Sequence, residues 1–417
     1  MSGAAANPRS MPARTAPKKP LQFNWSDPRF RNIVWQVLIV GTLALILWFL
    51  VSNTQRNLAA RNVTTGFTFL GQTAAMPIGE HLIPYESAVN TWGRALLVGI
   101  LNTLKVAIVG VFFATIWGTL VGVARLSKNW LIAKLAATYV EVLRDVPLLL
   151  QLFLWYALIQ SLPVPRDAFK PAADGTVPLG ILHPLPGVFL SNRGLQVPVL
   201  EWETAHWAAL AAFVIGIVGT VAWSRAAKRR QEETGVRPKV WPVALGLLVG
   251  LPLAAWAAMG APFTLEMPVA GRFNLTGGAL LVSPEFGALT FGLTIYTAAY
   301  IAEIVRSGIL AVPTGQWEAA GALGLRPGRV LRQVVLPQAM RVIIPPMTSQ
   351  YLNLTKNSSL AVGIGYQDVT SVANTTMNQT GQNIEGIALL MAVYLIISLG
   401  ISFYMNRYNA RKALVER

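Results

Sequence analysis

The run from Ile33 to Val51, IVWQVLIVGTLALILWFLV, contains no charged side chain. At 1.5 Å of helical rise per residue it is long enough to cross a hydrocarbon core about 30 Å thick. Inside lipid every backbone amide must find its partner within the segment, so such a run has to be helical. Trp35 and Trp48 stand near its ends, where interfacial anchors belong. It begins too far from the N-terminus for a secretory signal, and no cleavage is expected. Further apolar runs cover about 95–124, 131–158, 206–223, 241–259, 286–311, 342–354 and 384–405. The pattern predicts an all-α polytopic membrane protein with about eight transmembrane helices. Composition agrees, because 53% hydrophobic and only 12% charged residues are too apolar for a water-soluble chain of 417 residues.

Cysteine is absent, which excludes disulfides, thiol catalysis and cysteine-bound metal, and His81, His183 and His206 are too scattered to form a metal cluster. No metal or cofactor is expected on this chain. The net charge of +16 raises the question of nucleic acid, but its distribution answers it. Lys and Arg concentrate in residues 1–32, in the connector SRAAKRRQEETGVRPK after Trp223, in 312–338 and in the tail 406–417. Together, segments 53–94, 161–205 and 260–285 hold seven, against nineteen in those four. By the positive-inside rule both termini then lie in the cytoplasm and those three segments in the periplasm. The connector lacks the interleaved aromatics of a nucleic-acid patch, so no nucleic-acid partner is expected.

Residues 1–32 read as a disordered cytoplasmic arm carrying Arg9, Arg14, Lys18 and Lys19, and 33–52 as an additional membrane helix. The Pro- and Gly-rich stretch 161–205 reads as a folded or partly ordered outer insert, and 206–259 as an additional helix pair.

Several polar groups fall inside the spans, where they must face protein or a watery cavity. Asn102, Thr103 and Lys105 lie in the second. The third opens with Glu141, Arg144 and Asp145, and Pro147 should bend or interrupt it. YVEVLRDVP, from Tyr139, is echoed by YIAEIVRSGI, from Tyr300, which holds Glu303 and Arg306. Glu141 with Arg144, and Glu303 with Arg306, read as internal pairs that hold helices together. Pro345 and Pro346 should kink the seventh span. Just beyond, Asn353, Thr355, Lys356, Ser358 and Ser359 gather around an expected helix break. With Asn102 they form a candidate substrate path, since exposed N–H groups at a helix end favour the carboxylate of a zwitterion. A capped turn between packed segments accounts for them equally well.

Between two spans lies EAAGALGLRPGRVLRQVVLP, Glu318 to Pro337. Arg326, Arg329 and Arg332 place it in water at a membrane surface. Glu318 to Leu325 reads as a short helix, preceded by Pro313 and ended by Pro327 with Gly328. Its small and apolar residues suit a helix pressed into a groove of another protein.

This stretch resembles the EAA loop of the membrane subunits of ABC importers, whose pattern is Glu-Ala-Ala, three residues, Gly, nine residues, then Ile, one residue and Leu-Pro. Glu318, Ala319, Ala320, Gly324, Leu336 and Pro337 stand at the pattern positions, with Val334 in place of Ile. In that family the loop forms the coupling helix that docks into a cytoplasmic ATPase. The resemblance implies a role for Glu318 through charge pairing or helix capping, and for Gly324 through close approach.

Segments 95–160 and 286–405 look like the five-helix core of type I ABC importer permeases. The phrases YVEVLRDVPLLLQLF, YIAEIVRSGI and LTKNSSLAVGI resemble the polar amino acid branch, and the extra helices resemble the larger permease subunits of broad-specificity L-amino acid systems of Gram-negative bacteria. That implies alternating access in a bacterial inner membrane. The implied partners are a homologous second permease, two ABC ATPases and a periplasmic amino acid-binding protein, besides membrane lipids. No GxxxxGK[ST] loop occurs, so ATP and Mg would be used by the partner ATPase and this chain would be no enzyme itself. The competing reading is an ion-coupled secondary transporter or channel acting alone, with the two Glu–Arg pairs in its path. A membrane-embedded enzyme lacks any nucleophile–base spacing to support it.

Overall fold

A computed structural model describes Trp25 and residues 28–60, 66–169, 179–236, 238–270, 275–276 and 280–412. The basic arm lies outside the described residues up to Asn24, as do Arg237, Lys170 and Arg417. Two compact units result, Met1–Phe67 and Thr68–Arg417. The first holds helix α1, Pro28–Ala60, longer at both ends than its apolar run. Its apolar side chains point outward, with Val37 and Trp48 each 67% exposed, as a helix bathed in lipid requires.

In the second unit a 3-10 turn, Thr68–Gly71, leads to α2, Trp92–Ala124, whose first turn is capped by the Thr91 hydroxyl accepting from the Arg94 amide. Helices α3, Trp130–Asp145, and α4, Leu148–Gln160, replace the single expected span. They meet at 105°. The cause is Pro147, which drives the residue before it out of the helical region: Val146 is extended at φ −87 and ψ 128. The bend orphans backbone carbonyls inside an apolar surround. Gln151 supplies the missing donor, its Nε2 reaching the carbonyls of Leu143 at 2.9 Å and Val146 at 3.0 Å.

The short helix α5, Pro165–Ala168, precedes strands β1, Phe189–Ser191, β2, Gly194–Val197, and β3, Val199–Leu200. Helix α6, Thr204–Thr234, follows, then α7, Trp241–Leu245, a π turn, Gly246–Gly250, and α8, Leu251–Ala258. The basic connector is therefore helical through Thr234; the helix stops at Gly235, in the left-handed region. Strands β4, Leu265–Glu266, β5, Val269–Ala270, β6, Leu275–Thr276, and β7, Leu280–Val282, come next. β3 pairs with β4 and β2 with β7, all antiparallel. The segments 161–205 and 260–285, read as separate stretches, thus join in small sheets.

Helix α9, Pro284–Leu310, is the hub and packs against α2, α3, α4 and the later α12. After it come α10, Thr314–Ala322, α11, Pro327–Val330, a π turn, Leu331–Val335, and α12, Leu336–Asn357. Pro327 starts α11 rather than ending the helix before it, because a first-turn position needs no N–H donor. Pro345 and Pro346 lie inside α12 without terminating it. The expected break is real: a 3-10 turn, Ser358–Ile364, separates α12 from α13, Val369–Thr380, and α14 runs Asn383–Lys412. Among the described residues six helices are long and apolar enough to span a membrane, or seven with the bent α3–α4 pair. The eighth expected span is α12, a helix of 22 residues that carries Arg341 and Lys356.

The core runs along the α2–α9 contact. Helices α2 and α9 lie parallel, with Gly118 against Ala298 and Ile301, and Gly122 against Ala302 and Val305. A Cβ at Gly118 would lie 2.7 Å from the Ile301 side chain and 2.8 Å from the Ala298 carbonyl. Lipid offers no hydrophobic drive for helix association, so close backbone approach at small residues supplies it through van der Waals contact. Gly118→Leu is accordingly expected to destabilise the protein by about 1–3 kcal/mol or more. Thermal unfolding in detergent checks this, and a melting temperature equal to the parent's would contradict it.

Candidate functional site

The first candidate is the loop between α9 and α12. Pro313 stands at the N-cap of α10, with no side-chain cap, so Glu318 does not cap this helix. Nor does it form an ion pair among the described residues. Of the Glu-Ala-Ala triplet only Ala320 is buried, packed in the main core with Val312, Val330 and Val335. Glu318 and Ala319 face water. Gly324 closes α10 at φ +73, donating from its amide to the Gly321 carbonyl at 2.9 Å. No atom lies within 4 Å of a Cβ built there, so within the chain this glycine serves the left-handed backbone and not close packing. The chain then turns back through α11, and Leu336 with Pro337 opens α12. Glu318, Ala319, Leu323 at 81% exposure, and Arg326, Arg329 and Arg332 are among the loop's exposed residues. Leu323 is thus an exposed apolar side chain followed along the chain by three exposed cations.

The candidate substrate path divides into three sets. Thr355 and Ser358 are buried and donate to backbone carbonyls of Tyr351 and Thr355, each at 2.8 Å. Asn102 is buried elsewhere, its Nδ2 donating to the carbonyls of Glu80 at 2.9 Å and Gln367 at 3.0 Å. Asn353 and Lys356 are exposed with Ser349 on one face of α12, and Ser359 is half-buried. The neighbouring Leu354 packs on Gly110, near the middle of α2. Lys356 therefore sits far from either end of the bundle, uncovered by this chain.

The two expected polar pairs differ. Glu303 is held between Arg306, at 2.7 Å, and Arg125, an unforeseen partner from the end of α2. Glu141 and Arg144 are exposed and form no ion pair with each other. Arg144 instead lies over the Tyr300 ring, 5.0 Å from its centroid, which joins the two echoing segments directly. Tyr139 adds a hydrogen bond from its hydroxyl to the Ile295 carbonyl at 2.7 Å.

Lys105 finds Glu80, at 2.7 Å, and lies over the Phe286 ring. Glu80, Gln367 and Asp368 were missed by reading the sequence. Asp368 had a signal: it precedes a helix and accepts from the Ser371 amide at 2.8 Å, as an N-cap should. Glu80 had none, because its partners come from distant parts of the chain.

Comparison with known proteins follows the same lines. Residues 244–414 match the family described as "Binding-protein-dependent transport system inner membrane component". The chain is 50% identical to the general L-amino acid transport system permease protein AapQ of Rhizobium johnstonii, over 94% of each chain. It is 47% identical to the putative amino-acid ABC transporter permease protein YhdX of Escherichia coli, over 94% of this chain and 97% of that one. A third relative, the glutamate/glutamine/aspartate/asparagine transport system permease protein BztB of Rhodobacter capsulatus, is 42% identical over 94% of this chain and 96% of its own.

Removing Glu303 leaves two arginines facing each other without a counter-charge. Glu303→Gln is expected to cost about 1–3 kcal/mol, more than Arg306→Gln, which keeps the Arg125 contact. Thermal unfolding of the two variants side by side gives the order, and equal losses would deny Arg125 its part.

Proposed function

This chain belongs to the amino acid ABC transporter permeases, inner-membrane components of binding-protein-dependent transport systems, and on that premise we propose that it moves polar or general L-amino acids inward by alternating access. The observation that carries the proposal is its end-to-end similarity to a general L-amino acid permease. The family is a transport family and not an enzyme family, and its members work with an ATPase and a binding protein. Nothing in the comparisons favours an ion-coupled carrier acting alone.

Within that frame the loop around Glu318, Ala319, Ala320, Gly324, Leu336 and Pro337 is the coupling element. The exposed Leu323 and the exposed Glu318, Arg326, Arg329 and Arg332 support this reading. A partner ATPase binds ATP and Mg, and closure of that partner pushes α10, which stands on the core through Ala320. Both termini and this loop lie in the cytoplasm, as the distribution of Lys and Arg supports. A homologous second permease, two ATPases and a periplasmic amino acid-binding protein complete the assembly in the inner membrane.

The face of α12 bearing Ser349, Asn353 and Lys356 lines the path. An ammonium group at this depth is costly against lipid, so the face turns to a watery cavity or to the second permease. There Lys356 offers a cation to the carboxylate that every amino acid carries.

Purification from native membranes in mild detergent tests the assembly: a second permease and an ATPase should accompany this chain, and Glu318→Ala with Gly324→Trp should shed the ATPase. Gly324→Trp alone should leave insertion intact and abolish solute-stimulated ATP hydrolysis, since a bulky side chain is strained at positive φ and blocks the docking surface. Recovery of the parent chain without companions across several detergents, or normal stimulation in the variant, would overturn the coupling reading.

A further inference from the structure

A strap crosses the bundle at the end opposite the 312–338 loop. Residues 76–80 lie between the starts of α2 and α9 and the joint before α13, and Met76 and Ile78 are buried there. Every tie runs through a side chain. The Gly79 amide donates to Gln367 Oε1 at 2.7 Å, and Gln367 Nε2 donates to the Pro77 carbonyl at 2.6 Å. Asn102 Nδ2 holds the Glu80 carbonyl at 2.9 Å. Both Glu80 oxygens are engaged, Oε2 by Lys105 at 2.7 Å and Oε1 by the Ser283 amide at 3.2 Å. Three distant parts of the chain thus meet on five residues of irregular backbone.

Two features make these ties releasable. None of them belongs to a helix or a sheet ladder, so they part without unravelling an element. Gln367 also stands on a joint, after Gly365 in the left-handed region at φ +81 and just before Asp368, the cap of α13. A change of angle between α12 and α13 moves Gln367 and breaks its paired amide contacts.

We propose that residues 76–80, with Gln367, Lys105 and Asn102, form a latch that holds the entry end of the bundle shut, and that solute is admitted only when the Gln367 and Glu80 contacts part. The proposal rests on the transport reading above and adds to it where the closed state is fastened. The latch is a conformational device and touches no solute. Its two strands of contact stabilise the closed form against the open one, and a population shift in that equilibrium sets how often the path opens.

The chain has no cysteine, so a pair introduced by Gly79→Cys and Gln367→Cys is the sole thiol pair in this subunit. At Gly79 an added Cβ meets only Gln367 Oε1, at 3.9 Å. The complete complex carrying this pair is reconstituted in proteoliposomes, and ATP-driven amino acid uptake is followed after oxidation and again after reduction. Oxidation is expected to cut uptake by about tenfold or more, with recovery on reduction, because a covalent tie removes the open state. Uptake unchanged in a complex whose cross-link is complete would overturn the latch, and so would failure of the two thiols to cross-link. If the reduced complex shows no ATP-driven uptake while the parent does, the charge exchange decides: Glu80→Lys and Lys105→Glu should each shift uptake and together restore it to within about threefold, whereas no rescue counts against the latch. A parent complex without any ATP-driven uptake defeats the transport reading instead.

Discussion

Everything in this fold depends on how closely α2 can lie against α9. In water two helices are driven together by their apolar faces, but in lipid the surroundings are as apolar as the helices themselves. Gly118 and Gly122 let the backbone of α2 touch the Ala298 and Ala302 carbonyls, and that intimacy fixes the relative height of the two helices. From it follow the meeting of Arg125 with Glu303 near one end and of Lys105 with the start of α9 near the other.

Polar groups inside such a structure are placed where the backbone leaves something undone. Pro147 breaks a span and strips two carbonyls of their donors, and Gln151 answers both. Thr103 accepts from the Val369 amide at the first turn of α13, at 3.0 Å. These contacts are part of the chain's own closure. Asn353 and Lys356 are different in kind, since they are polar and lie exposed on α12 rather than meeting a need of the chain's own backbone.

How much of this could be read beforehand follows the range of each interaction. Spans, the break at Pro147 and the break before Ser358 are local consequences of hydropathy and proline geometry, so they were legible. The Gly-Thr-Leu-Val-Gly spacing of Gly118 and Gly122 was present as a signal and passed over. The helical continuation of α6 into SRAAKRRQEET was hidden because charge marks the membrane boundary and says nothing of where a helix stops. Glu141 with Arg144 shows the opposite error: helical spacing made them look paired, yet tertiary contact gave Arg144 the Tyr300 ring. Glu80 and Gln367 meet partners from across the chain, and no local rule could have joined them.

The pairing of β3 with β4 has a topological consequence. Leu200 stands opposite Leu265 and Val199 opposite Glu266, so the chain leaves the bundle and returns to it at neighbouring points on one ribbon. Everything between, the whole hairpin of α6 to α8, is a closed detour whose two ends are already clasped. Such an excursion can lengthen, shorten or vanish without altering the distance that the helices on either side of it must span.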